Sequence, residues 1–82
     1  MVKLHPHARE RLFERGVSET EVAETVEEGE SFPAKYGRMG FRRNFSFNGV
    51  WREKYFATKQ IEVYAVKDGD DWVVITIIAR YF

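Results

Sequence analysis

The sequence contains no cysteine. That absence removes disulfides, thiol nucleophiles and cysteine zinc sites together, and it fits a reducing cytosol. No apolar run reaches the roughly 18 residues needed to cross a bilayer, and the N-terminus lacks the apolar core of a signal peptide. A cytoplasmic protein without membrane contact is expected. Metal ligands are equally scarce: the two imidazoles of His5-Pro6-His7 straddle a proline, and no third ligand follows at a zinc-like spacing. Gly37-Arg38-Met39-Gly40 has neither the lysine nor the strand-to-helix setting of a phosphate loop. No Ser-His-Asp arrangement is present, so neither a metal nor a cofactor is expected. Repeats, low-complexity tracts and linkers are absent too. Eighty-two residues are too few for two cores, and residues 1–82 should form one domain.

The chain does carry 44% hydrophobic and 16% aromatic residues, enough for a packed core. Its net charge of zero argues against indiscriminate coating of nucleic acid, yet it hides an asymmetry. Residues 1–30 hold four Lys/Arg against eight Asp/Glu. Residues 31–60 reverse this with seven basic residues (Lys35, Arg38, Arg42, Arg43, Arg52, Lys54 and Lys59) against Glu53 alone. A basic block of this size would seat a phosphate backbone, with Lys35, Arg38, Arg42, Arg52, Lys59 and the distal Arg80 as contacts. The plainer reading is that these side chains solvate an exposed sheet face.

Two helices open the chain. Pro6 suits a first helical turn, the stretch to Arg15 is rich in helix formers, and Gly16 is placed to stop it in a left-handed cap. Ser18 and Glu21 make a capping box, and Val17 and Val22 occupy the positions of a hydrophobic staple around it. The second helix should run to about Glu28 and end at Gly29. On the first helix, His7, Arg11 and Arg15 recur at i, i+4 and form one stripe beside the apolar edge of Leu4, Ala8 and Leu12. His5 lies ahead of the helix and reads as an exposed bystander.

After Pro33 the period becomes two. Phe41, Arg43, Phe45 and Phe47 alternate with Arg42, Asn44 and Ser46, as in a half-buried strand. Asn48-Gly49 is a strong two-residue hairpin signal. A turn there would set Phe47 opposite Val50, Phe45 opposite Arg52, Phe41 opposite Phe56, and Arg43 opposite Lys54 as a repulsive pair. A second hairpin is expected from Ile61–Lys67 to Trp72–Phe82 across Asp68-Gly69-Asp70-Asp71. The last strand is apolar on both faces and should lie inside the sheet. The expected fold class is α+β: an N-terminal helical hairpin packed on a four-stranded, mainly antiparallel twisted sheet (α-α-β-β-β-β).

His7-Ala8, Arg11, Glu14-Arg15-Gly16-Val17-Ser18 and the distal Val73-Val74-Ile75-Thr76 together resemble an uncharacterised bacterial and archaeal domain family. Its pattern is His-Ala-x-x-Arg-x-x-Glu-Arg-Gly-Ile-Ser, closing in a Val-Val-Thr-type strand. That family is grouped with the RelE/ParE toxin superfamily, small α+β ribonuclease-like or gyrase-poisoning proteins. The resemblance implies a RelE-like sheet, RNA as substrate and an antitoxin-like protein as partner. It also implies a site of strand arginines and lysines plus a tyrosine near the C-terminus, for which Arg42 or Arg43, Lys54, Arg80 and Tyr81 are the candidates. Such toxins are usually strongly basic, whereas this chain is neutral, and here the helices come first, with no strand expected ahead of them.

Metal-free RNA cleavage needs a base for the 2′-hydroxyl, cations for the phosphate and an acid for the leaving oxygen. His7 would move the proton, Arg11 and Arg43 would clamp the phosphate, and Tyr81 or Lys54 would supply the remaining proton or charge. In the competing structural reading, His7 braces the helical hairpin while Arg11 and Arg15 pair with Glu10, Glu14 or the second helix. Trp51, Tyr55, Phe56 and Tyr64 are either base-stacking platforms or core and dimer interface. Two functions are therefore carried forward: a metal-independent ribonuclease, and a non-catalytic domain that binds RNA or protein or dimerises through its aromatic sheet face. A His7–Arg11 stripe facing the strand cations across a groove would favour the first, and one closed over by glutamates the second.

Overall fold

The computed structural model describes Met1–Phe82. Its elements are β1 (Val2–Leu4), α1 (Pro6–Arg15), α2 (Glu19–Glu28), β2 (Glu30–Pro33), a short 3-10 turn (Lys35–Gly37), β3 (Met39–Trp51), β4 (Lys54–Asp68) and β5 (Asp71–Tyr81). The class is α+β, as expected. The sheet has five strands in the order β1-β5-β4-β3-β2, and β1 runs parallel to β5. The expected count of four strands, with helices first, is therefore corrected at both ends. Three-residue β1 and four-residue β2 are too short to show a period. Tertiary contacts hold β1: the Met1 ammonium and Lys3 both reach Asp71, at 3.3 and 3.0 Å. These cations, Lys3 foremost, hold the Asp71 carboxyl below its ordinary range.

The helical hairpin forms where local chemistry places it. Pro6 sits in the first turn of α1, and Gly16 (φ +67°) closes the helix. The amide of Gly16 donates to the Phe13 carbonyl and that of Val17 to the Leu12 carbonyl, as in a Schellman motif. The Ser18–Glu21 capping box is complete, and Val17 and Val22 are both buried. His5 is no bystander: it is the N-cap of α1, with Nδ1 accepting from the His7 amide at 3.2 Å.

The strands depart further from expectation. The chain runs straight through Asn48-Gly49, so Val50 and Trp51 continue β3, while residues 54–56 and the expected strand 61–67 fall together in β4. Ser46 pairs with Thr58 and Gly49 with Phe56, so Phe47 and Asn48 bulge opposite Ala57. The hairpin turns at Arg52-Glu53, both at positive φ (51° and 71°). The register moves accordingly: Phe41 faces Val63, Arg43 faces Ile61 and Phe45 faces Lys59. The anticipated Arg43–Lys54 repulsion does not arise. The β4–β5 hairpin across Gly69-Asp70 forms where expected, with Asp68 opposite Asp71.

The helices cover one sheet face. Ala8, Val17, Val22 and Val26 bury against Phe41, Ile61, Val63, Ala65, Val74 and Ile77. The opposite face has no covering layer. Residues alternating with that core (Arg42, Asn44, Gln60, Glu62, Tyr64, Thr76, Ile78 and Arg80) form its centre. No helix is long and apolar enough to cross a membrane.

Candidate functional site

A helix leaves its last carbonyls without intrahelical partners, and at α1 three successive ones are met by side chains from the sheet. Arg52 Nη2 donates to the Glu14 carbonyl (3.0 Å), Tyr81 Oη to that of Arg15 (2.6 Å), and Lys59 Nζ to that of Gly16 (2.8 Å). Lys59 also pairs with Glu21 at 2.9 Å. Cations here complement the negative end of the helix dipole. Gly16 makes the approach possible, since a Cβ there would lie 2.6 Å from the Trp51 ring and 2.7 Å from Tyr81 Oη. Trp51 stacks on Tyr81 with ring centroids 4.9 Å apart, and Phe47 and Phe56 flank the same ring. Burial, followed by the field of Glu21, pushes the Tyr81 phenol above its ordinary range.

The five expected catalytic residues do not converge. His7 and Arg11 line a cleft of about 330 Å³ with Arg15 and the β5 segment Ile75–Ile77. Arg11 is paired there with Glu14 at 3.2 Å, and Arg15 Nε is buried without a partner. Arg43 points to the helix-covered face and pairs with Glu28 of α2. Lys54 opens β4 with its ammonium 5.8 Å from the Phe56 ring, and Tyr81 is engaged at the α1 terminus. Most of the basic block is likewise spent within the molecule. Among the residues expected to contact RNA, Arg52 and Lys59 belong to the α1 clamp, whereas Arg42 and Arg80 meet on the open face. Lys35 and Arg38 lie beside them in the β2–β3 connection.

What joins Arg42 and Arg80 is Glu62, a residue the sequence reading passed over. Glu62 lies directly opposite Arg42, and Arg80 approaches along the diagonal. Arg42 Nε (3.1 Å) and Arg80 Nη1 (2.7 Å) donate to the same oxygen, Oε2, while Tyr64 Oη donates to Oε1 at 2.6 Å. Glu62 is only 5% exposed, although no helix covers its face of the sheet. Burial alone would raise its pKa, but the hydrogen bonds from Tyr64, Arg42 and Arg80 outweigh that and hold the carboxyl below its ordinary range. The same bond, with burial, holds the Tyr64 phenol above its own. Both guanidiniums remain substantially exposed and keep unused N–H donors. The cluster thus presents an ionised base, two bidentate phosphate donors and a protonated phenol within one hydrogen-bonded unit. A signal was present: a glutamate inside the otherwise apolar run Ile61–Val66 is out of place in a strand interior.

The family model described as "Domain of unknown function (DUF4258)" matches residues 4–79. The chain belongs to this family. The match runs from the end of β1 into β5 and so takes in both helices, Arg52 and Lys59 of the α1 clamp, and Glu62 with Tyr64 and Arg42; Tyr81 and Arg80 lie just beyond it. No curated protein and no solved structure matches the chain.

Proposed function

We propose that this DUF4258 domain is a metal-independent endoribonuclease whose site is the open sheet face around Glu62, with Arg42, Arg80 and Tyr64. The observation that carries the reading is the convergence of two guanidiniums and a phenol on one shielded carboxylate. As the domain stands, Oε2 is doubly occupied and Glu62 is a weak base. A phosphodiester attracts the same two arginines. When they turn to the phosphate, Glu62 loses cations but keeps its partly buried position, and its pKa rises toward a useful value. Glu62 then takes the 2′-hydroxyl proton as the 2′-oxygen bonds to phosphorus and the bond to the 5′-oxygen breaks. Tyr64 protonates the departing oxygen, and the proton now on Glu62 passes to the Tyr64 phenolate along their hydrogen bond, so both groups are restored. The products are a 2′,3′-cyclic phosphate and a 5′-hydroxyl. Relationship to the RelE/ParE toxins, a RelE-like sheet and restraint by a small antitoxin-like protein belong to this same reading.

The completeness of the pairing favours a second reading, in which the face binds RNA or protein without cleaving. Cleavage of single-stranded and ribosome-bound RNA by wild type, Glu62→Gln and Arg42→Ala separates the two. The nuclease reading expects cyclic-phosphate ends from wild type and at least about a hundredfold loss in Glu62→Gln, since positioned acid–base groups contribute about 10²–10⁴-fold. RNA binding that is lost in Arg42→Ala, with no cleavage by any form, gives the function to the second reading.

A further inference from the structure

Next to Glu62, on the same face, lies a cleft of about 460 Å³ between the β2–β3 connection and strands β4 and β5. We propose that it is a slot for one unpaired nucleobase of single-stranded RNA, a reading that rests on the RNA-directed site above and gives it a means of positioning its substrate.

The walls are aromatic and held in place. The Phe32 ring lies against Gly40, where a Cβ would come within 2.3 Å of it. Arg42 covers Phe32 at 4.8 Å from the ring centroid, and Tyr64 meets it edge-on at 6.0 Å. Any side chain at position 40 would displace the ring, so this glycine makes room for a wall. The third aromatic is Tyr36, which is 86% exposed. Its φ of +62° is a left-handed conformation costly for a tyrosine, and the following Gly37 is at +70°. A strained backbone that delivers an aromatic ring to solvent at the mouth of an aromatic cleft has the form of a stacking platform.

The charge around the slot points to the same ligand. Its two charged lining residues are Lys35 and Arg38, neither in a salt bridge. Arg38 lies 5.9 Å from the Tyr36 ring, leaving its N–H donors for an oxyanion. The exposed Tyr36 ring, beside a cleft bounded by Phe32 and Tyr64 and with unpaired cations at its rim, suits a nucleotide: the base stacks on Tyr36 and the flanking phosphate is held. Tyr64 links slot and site, since its ring lines the cleft while its hydroxyl is bonded to Glu62. A base held there places the neighbouring phosphate of the same strand against Arg42 and Arg80.

The test uses the full chain. Adenosine and uridine 5′-monophosphates are titrated into isotope-labelled protein, with ribose 5-phosphate as the base-free control, and binding of a single-stranded RNA octamer is measured in parallel. The nucleotides are expected to shift the Tyr36, Tyr64 and Phe32 ring signals, and ribose 5-phosphate to leave them in place. Tyr36→Ala should weaken octamer binding about tenfold and Tyr36→Trp should restore it, in keeping with the stacking of one base. Tyr36 is exposed, so neither variant threatens the core. Equal shifts from ribose 5-phosphate, or wild-type affinity in Tyr36→Ala, overturn the slot. If wild type cleaves RNA and no ring shifts appear, the slot alone fails. If the rings shift and no RNA is cleaved, the nuclease reading alone fails.

Discussion

Strand β4 carries two buried charges three residues apart, on opposite faces of the sheet. Lys59 is 7% exposed and Glu62 5%. Lys59 is enclosed by backbone and helix: its ammonium spans the Gly16 carbonyl and the Glu21 carboxylate, beneath a corner whose geometry Gly16 dictates. Glu62 is hydrogen-bonded by three side chains, none of them from a helix. Removing the partners of Lys59 means unfolding a helix terminus, whereas those of Glu62 leave by rotating about side-chain bonds. Equal burial therefore means different things. The first charge is a rivet, and the second is shielded by side chains that can turn away without unfolding an element.

The sharpest break of that contrast is at the rivet. Gly16→Ala sets a Cβ against Trp51 and Tyr81 at positive φ, and should lower the unfolding free energy by about 4 kcal/mol in urea denaturation. Lys59→Met strands the Gly16 carbonyl and should cost about 3 kcal/mol by the same measurement. Glu62→Gln should cost only about 1 kcal/mol, because its partners turn to water. A cost equal to that of Lys59→Met would show that Glu62 is a second rivet.

A smaller effect is expected in the pH dependence. The folded Glu62 pKa lies below its reference value of 4.5, so its contribution is fully present above that range and is lost as pH falls through the lower folded value. Stability of wild type should fall more steeply below pH 4.5 than that of Glu62→Gln. Matching acid limbs would mean that the carboxylate is not held by its cations. Tyr64→Phe, the mildest change, should cost about 0.5–1 kcal/mol and move the acid limb of wild type upward, because Glu62 loses a donor.

Legibility in the sequence follows the range of the interactions. The α1–α2 corner was readable to the residue, since Ser18, Glu21, Val17 and Val22 act on one another within five positions. The Asn48-Gly49 dipeptide was misleading for the same reason. It has the local preference for a turn, and Asn48 does take positive φ (44°), but within a bulge. Packing of Phe47, Trp51 and Phe56 around Tyr81 carries the hairpin beyond it to Arg52-Glu53. Arg42 and Arg80 were recognisable as RNA-facing candidates by type. Their convergence on Glu62 was not, because it depends on a register displaced by that bulge.

By itself, the sequence determined the α+β class, the helical hairpin with its caps, the β4–β5 hairpin and the family to which the chain belongs, all of which rest on local spacing or on residue type. Tertiary structure alone decided which charges are consumed and which remain available. Lys59, Arg52 and Tyr81 are drawn to the carbonyls at the end of α1, and Arg43 to Glu28, because the helices pack on that face and their unpaired groups need partners. Arg42, Glu62, Tyr64 and Arg80 meet on the face that the helices leave uncovered, where they satisfy one another through side chains alone.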